Sequence, residues 1–237
     1  MALVWRWLSA LRPKALGFAC VDVSAHRLAT SVDVLQASGA QAKGYVCNVG
    51  NRGSVLTTMA DIQRDWNAPV GVLVNNAVWA RFQPLNEIDE GTVQRMFAVG
   101  LQSMIWTLQA VAPQMASRGG GKVINLCSTA ALQTMPNAIV YAALKAGVMG
   151  LTRAAAVELS PKNIRVNCIL PGMIGTPTSI GQFDDGVISE RLAKMPLGRF
   201  GDPSEIAALA AFLASDESGY VQVSSMVADG GWTVSTN

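Results

Sequence analysis

Charge is scarce in this chain. Only 14% of its 237 residues are Asp, Glu, Lys or Arg, and 18 basic residues nearly balance 16 acidic ones. That balance leaves no electrostatic footprint for nucleic acid. Histidine occurs once, at His26, and the cysteines Cys20, Cys47, Cys127 and Cys168 lie far apart with no Cys-x-x-Cys pair. Neither residue type is grouped as a metal site requires, so no metal is expected. Isolated cysteines in or beside apolar runs read as buried thiols of a reducing, cytoplasmic compartment. Cys127 has a rival reading as a reactive thiol beside Ser128, and His26 is expected on the surface at a helix start. No apolar run reaches the roughly 18 residues of a membrane span, so no membrane partner is expected. Repeats, low-complexity tracts and signs of a second domain are also absent, and residues 1–237 read as one domain with a sizeable core.

Apolar residues make up half of the chain. They fall in short continuous runs at 17–22, 43–48, 70–75, 121–127, 163–170 and from 224, each reading as a strand. Between them, helical patterns cover about 25–38, 52–66, 91–115, 139–160 and 203–214, with Gly39 ending the first and Pro203 opening the last. Strands that are apolar throughout and alternate with helices predict an α/β fold, a doubly wound parallel sheet with helices on both faces. Ligands of such sheets bind at the C-terminal ends of the strands.

One of those ends carries chemistry. The run 121–127 is followed by Ser128, and the helix from Ile139 carries Tyr141 and Lys145, four residues apart and therefore on one face. An ammonium near a phenol favours the phenolate and draws its pKa down from the usual value of about 10. Tyr141 is thus a candidate general acid/base, and Ser128 can hold the same substrate oxygen.

Ser128, twelve intervening residues, Tyr141, three more and Lys145 resemble the short-chain dehydrogenase/reductase family, together with Asn75-Asn-Ala77 upstream and Pro171-Gly172 downstream. The resemblance covers about residue 17 to the C-terminus and implies reversible hydride transfer between a nicotinamide cofactor and a secondary alcohol or its ketone. It implies Tyr141 as acid/base, Ser128 positioning the oxygen, and Lys145 lowering the tyrosine pKa and contacting the ribose. Asp22, ending its strand, would accept from the adenosine ribose and repel a 2′-phosphate, making NAD the expected cofactor; its rival role is to cap the following helix. Asn48 and Val49 would flank the adenine, Asn75 and Ala77 the cofactor, and Pro171, Gly172, Ile174 and Thr176 the nicotinamide. Val78, Trp79, Met135 and Ile139 would line a pocket for a hydrophobic or cyclic substrate, with Trp79 equally suited to packing on a neighbouring helix. Residues 178–199 read as a lid or as a surface loop. Similar proteins form four-helix interfaces, so a homotetramer or homodimer is expected.

The chain departs from that family in three places. Val78 follows Asn75-Asn-Ala77 where a glycine is usual, Gly100 replaces an asparagine of the proton relay, and no Thr-Gly-x-x-x-Gly-x-Gly turn precedes residue 17. Residues 1–16, with Trp5, Trp7, Leu8, Leu11, Arg6, Arg12 and Lys14, read as the first helix, an amphipathic presequence or a truncated tail, and Ala2-Leu-Val4 as a remnant of the first strand. A catalytically impaired relative serving in oligomerisation or regulation is the alternative function. A glycine turn restored near Val4 in a longer sequence would favour the enzyme.

Overall fold

The computed structural model describes residues 17–176, 181 and 184–235. The readings made for residues 1–16, and for the start of the 178–199 segment, lie outside them. The order is β1 (Gly17–Asp22), α1 (Ala25–Ala37), β2 (Gln41–Val46), α2 (Arg52–Trp66), β3 (Val72–Asn75), α3 (Glu90–Phe97), a π-helical turn (Ala98–Gln102), α4 (Ser103–Ser117), β4 (Gly121–Leu126), α5 (Ile139–Leu159), β5 (Ile164–Pro171), α6 (Asp185–Lys194), α7 (Pro203–Ala214) and β6 (Ser225–Ala228). All pairings between these strands are parallel. They join β1 to β2, and β3, β4, β5 and β6 in that order.

Alternation along the strands explains why they are apolar throughout. Val123 and Val166 face one side, where α2, α4 and α5 supply Val55, Met59, Val111, Met115 and Ala156. Ile124, Leu126 and Ile169 face the other, against Ile206, Ala210 and Leu213 of α7. Both faces of the strand are therefore buried, as a parallel sheet requires. Helix starts follow their capping residues: Asn51 caps α2 through Ser54 N–H, and Asp202 with Glu205 forms a capping box before Pro203.

A row of hydrogen-bonded polar side chains crosses this apolar interior. Thr107 Oγ1 donates to Asn75 Oδ1 (2.9 Å), Asn75 Nδ2 to Asn125 Oδ1 (2.9 Å), Asn125 Nδ2 to Thr152 Oγ1 (3.0 Å), and Thr152 Oγ1 to the Val148 carbonyl (2.8 Å). Each bonded pair avoids the desolvation cost of a buried unsatisfied group, and the row fixes α4 and α5 in register on β3 and β4.

The expected continuous helix over 91–115 is interrupted by the π turn at Ala98–Gln102. Gly100 lies at its centre, and a Cβ there would stand 2.7 Å from Leu144 Cδ2 of α5. Helix α5 itself, extended to Lys162, is long and apolar enough by length and composition to cross a membrane. The sequence expectation of no such segment is corrected to that extent. Lys145 and Thr152 on this helix are nonetheless bonded into β4, the arrangement of a helix packed on a sheet.

Candidate active site

Strand β4 delivers Ser128 to the sheet's C-terminal edge. The residue is extended, and its hydroxyl caps a short 3₁₀ turn by accepting from Ala130 N–H at 3.1 Å. That bond fixes the oxygen and leaves its hydrogen for another acceptor. Burial raises the pKa of the Tyr141 phenol, and Ser128 acts against the rise.

Lys145 lies one turn further along α5 and is buried. Its Nζ donates to the Leu126 carbonyl at 2.8 Å and sits 5.7 Å from the Tyr141 ring centroid. Burial lowers its pKa from 10.5 to about 8. The expected lowering of the tyrosine pKa is therefore not the direction found. Desolvation of the phenol prevails, and the ammonium is aimed at the β4 backbone. Cys127 Sγ contacts the Lys145 carbonyl at 3.1 Å, and burial pushes its thiol up to about 11, which favours packing over reactivity.

Two contacts were not legible beforehand. Phe82 meets the Tyr141 ring edge-on at a centroid distance of 5.3 Å, a pairing across the fold with no local sequence signal. Arg27 binds Asp22 Oδ1 through Nε and Nη2 at 3.2 and 2.8 Å, alongside Ser24 N–H at 2.8 Å. An arginine in the first turn of α1, five residues after the aspartate, was the available clue. The cap of α1 is Ser24, which accepts from Arg27 N–H, in place of the expected rival role for Asp22; Asp22 instead holds Ser24 and Arg27, and among the described residues its Oδ2 accepts no hydrogen bond.

Several expected cofactor residues have their side chains engaged within the protein. The Asn75 side chain is turned into the buried polar row, because a strand-centre amide between two helices must be satisfied there. Asn48 Oδ1 accepts from Gly50 N–H at 3.1 Å in a local turn, and Val49 packs on the core. Ile174 is buried, and its carbonyl accepts from Thr176 N–H at 2.9 Å. Thr176 is buried beside it. The expected substrate wall divides in the same way. Trp79 stacks under Arg95 of α3, 4.3 Å from guanidinium carbon to ring centroid, the helix-packing alternative. Val78 and Ile139 are exposed, and Met135 meets Arg191. Ala77 is exposed after β3.

The loop after β5 is shaped by the C-terminal Asp-Gly-Gly. Gly172 lies against Asp229, where an added Cβ would stand 2.6 Å from Asp229 Cβ and 2.7 Å from its Cα. Asp229 is locked by bonds from Gly231 N–H, Thr233 N–H and Thr233 Oγ1. Backbone bonds Gly175 N–H to Gly201 O and Gly201 N–H to Met173 O hold the loop's other side. Gly172→Ala is expected to cost about 1–3 kcal/mol, because backbone must move on one side or the other. A urea midpoint unchanged from wild type would show that the turn yields freely.

The family described as enoyl-(acyl carrier protein) reductase matches residues 10–233. The 2-keto-3-deoxy-L-fuconate dehydrogenase of Xanthomonas campestris is 34% identical over 227 residues, covering 91% of this chain and 74% of that protein. The chain belongs to the short-chain dehydrogenase/reductase family. Among solved structures, a 7α-hydroxysteroid dehydrogenase complexed with NADH and 7-oxo glycochenodeoxycholic acid superposes with a TM-score of 0.92 at 28% identity, covering 97% of this chain and 89% of that one. A gluconate 5-dehydrogenase from Burkholderia cenocepacia, in complex with NADP and tartrate, gives 0.89 at 29% identity, covering 97% and 91%.

Within a short-chain dehydrogenase/reductase the glycine at position 100 is the departure with structural consequences. Leu144 occupies the space that a side chain there would need. Gly100→Asn is expected to destabilise the fold by about 1–3 kcal/mol through overpacking. The penalty should be smaller in a Leu144→Ala background, a non-additivity read by a double-mutant cycle in urea. Additive effects would show that the two positions do not compete for space.

Among the described residues, no group of three His, Cys, Asp or Glu is placed to hold a metal.

Proposed function

We propose that this chain reversibly interconverts a small-molecule secondary alcohol and its ketone, with NAD as cofactor and with Tyr141, Ser128 and Lys145 as its working groups. The reading rests on one observation: buried Lys145, bonded to the Leu126 carbonyl at the end of β4, stands 5.7 Å from the Tyr141 ring one turn away on α5, with the Ser128 hydroxyl fixed at the same strand end. The nicotinamide cofactor supplies or accepts the hydride when bound. Ser128 donates a hydrogen bond to the substrate oxygen and holds it beside the phenol. Tyr141 gives that oxygen its proton in ketone reduction and takes it back in alcohol oxidation. Burial raises the phenol's pKa, so it stands protonated at neutral pH as the acid for reduction. Lys145, protonated below about pH 8, stabilises the phenolate as the proton leaves. Phe82 and the exposed Val78 and Ile139 supply the apolar side of the pocket.

Asp22 fits the adenosine ribose: its Oδ1 is held by Arg27 and Ser24, and Oδ2 offers the acceptor. The carboxylate repels a 2′-phosphate, which favours NAD over NADP. Pro171, Gly172 and Thr176 would flank the nicotinamide. The apolar, largely unburied surface of α5 supports pairing with a second copy, as a homodimer or homotetramer. Four free cysteines suit a reducing compartment.

Fluorescence titration with NADH and NADPH tests the cofactor assignment. NADH is expected to bind at micromolar concentration and at least about ten-fold more tightly than NADPH, a preference that Asp22→Ala removes, the size of one charged contact. Binding of neither at millimolar concentration would overturn the oxidoreductase reading.

A further inference from the structure

The loop between β3 and α3 lays one aromatic side chain on the acid/base. Phe82 meets the Tyr141 ring with centroids 5.3 Å apart and planes at 60°, and it remains 37% exposed, so it stands between that ring and solvent. Tyr141 is itself only partly buried, which makes the cover matter. The loop is fastened on both sides of Phe82. Arg81 Nη1 lies 3.9 Å from Asp89 Oδ2. Buried Gln83 donates from its backbone N–H to the Asn137 carbonyl at 3.0 Å and from Nε2 to the Glu87 carbonyl at 2.9 Å. Asn137 takes the left-handed conformation (φ 64°) that a short amide side chain tolerates, two residues before α5 begins. Phe82 is thereby tied to the helix that carries Tyr141.

Building on the alcohol/ketone reading above, we propose that Phe82 is a positioning residue for that reaction, keeping water from the Tyr141 phenol so that the substrate's oxygen is the hydroxyl's partner. An apolar ring at this place offers the phenol no hydrogen bond and displaces water that would. Water competing for the phenol would cost the substrate that bond. Burial raises the Tyr141 pKa, with Ser128 acting against the rise and Cys127 with it, which agrees with a phenol short of water. The titrating groups that face the ring are Lys145 on α5 and Cys127 just after β4, both kept in every variant below.

The test compares Phe82→Leu with Phe82→Asn, two side chains of similar size of which only the second draws water. The chain has three tyrosines, Tyr45, Tyr141 and Tyr220, so fluorotyrosine labelling gives three fluorine NMR resonances, and the one lost in Tyr141→Phe belongs to the site. Fully exposed Tyr220 serves as the control that no variant should move. The titration midpoint of Tyr141 is expected to fall by about one pH unit in Phe82→Asn and to hold in Phe82→Leu. In reduction of cyclohexanone by NADH, kcat/KM should drop about 10-fold in Phe82→Asn, the value of one hydrogen bond, and stay within about three-fold in Phe82→Leu. An unmoved midpoint in Phe82→Asn, or equal effects of the two substitutions, would overturn the proposal, while cyclohexanone reduction by wild type upholds the dehydrogenase reading. The midpoint shift in a chain that neither binds NADH nor reduces cyclohexanone would sink the dehydrogenase reading and leave Phe82 as the cover of Tyr141.

Discussion

Tyr141→Phe is expected to lower kcat for ketone reduction by about 10³-fold, within the range of general acid catalysis, and to leave the fold intact. The substitution removes one oxygen and nothing else. The ring keeps its edge-on contact with Phe82, and the backbone of α5 is unchanged. What is lost is the phenol oxygen that serves as proton donor, at a stability cost of about 1 kcal/mol. Thermal unfolding should therefore shift by only a few degrees, about 2–4 °C for a chain of this size. Steady-state kinetics beside a melting curve separate the two effects. Turnover retained in Tyr141→Phe would refute the assignment.

Lys145→Met is expected to change both rate and the pH dependence of stability. Met approximates the size of the lysine stem and carries no charge, so the packing on β4 is largely kept. The unfolded chain holds the lysine proton up to about pH 10.5, whereas the folded chain holds it only to about pH 8. Between those limits the unfolded state binds more protons, and stability rises with pH. At about 1.4 kcal/mol per pKa unit, the wild type should gain about 3 kcal/mol on the variant across that window. Buried thiols such as Cys127, pushed up to about 11, act in the opposite sense in both proteins. Urea unfolding of both at pH 7.5 and 10 checks it. A wild-type minus variant difference independent of pH would mean that the lysine titrates normally. Reduction by wild type should also decline above about pH 8 as the ammonium is lost, and Lys145→Met should lack that step.

The site was legible where its chemistry is local. Ser128, Tyr141 and Lys145 are tied to one strand end and one helix face, and their spacing already placed them together. Asp22 was legible as a strand-end carboxylate, but its partner Arg27 required the turn into α1 to be built. Asn75 was read as a cofactor contact because its position relative to β3 is right. Only the packing of α4 and α5 shows that its amide is consumed between Thr107 and Asn125. Trp79 had two readings of equal weight, and Arg95 decided between them.

The sign of the tyrosine pKa shift was missed for a physical reason. Spacing along a helix reports that two groups are near each other, but not how much water each has lost. Burial of the phenol and the ammonium on the sheet, with the lysine turned to the Leu126 carbonyl, outweighs the attraction that proximity alone suggests. Phe82 reaches the site from a distant segment, and no periodicity could have announced it.

By itself the sequence determined the parallel α/β architecture and the grouping of Ser128, Tyr141 and Lys145 about one strand end, since apolar runs, capping residues and a four-residue helical spacing act over short distances along the chain. Only the tertiary structure decided protonation preferences, the inward turn of Asn75 and the collision that reserves position 100 for glycine. These depend on which distant surfaces meet and exclude water, and that is settled by packing in three dimensions.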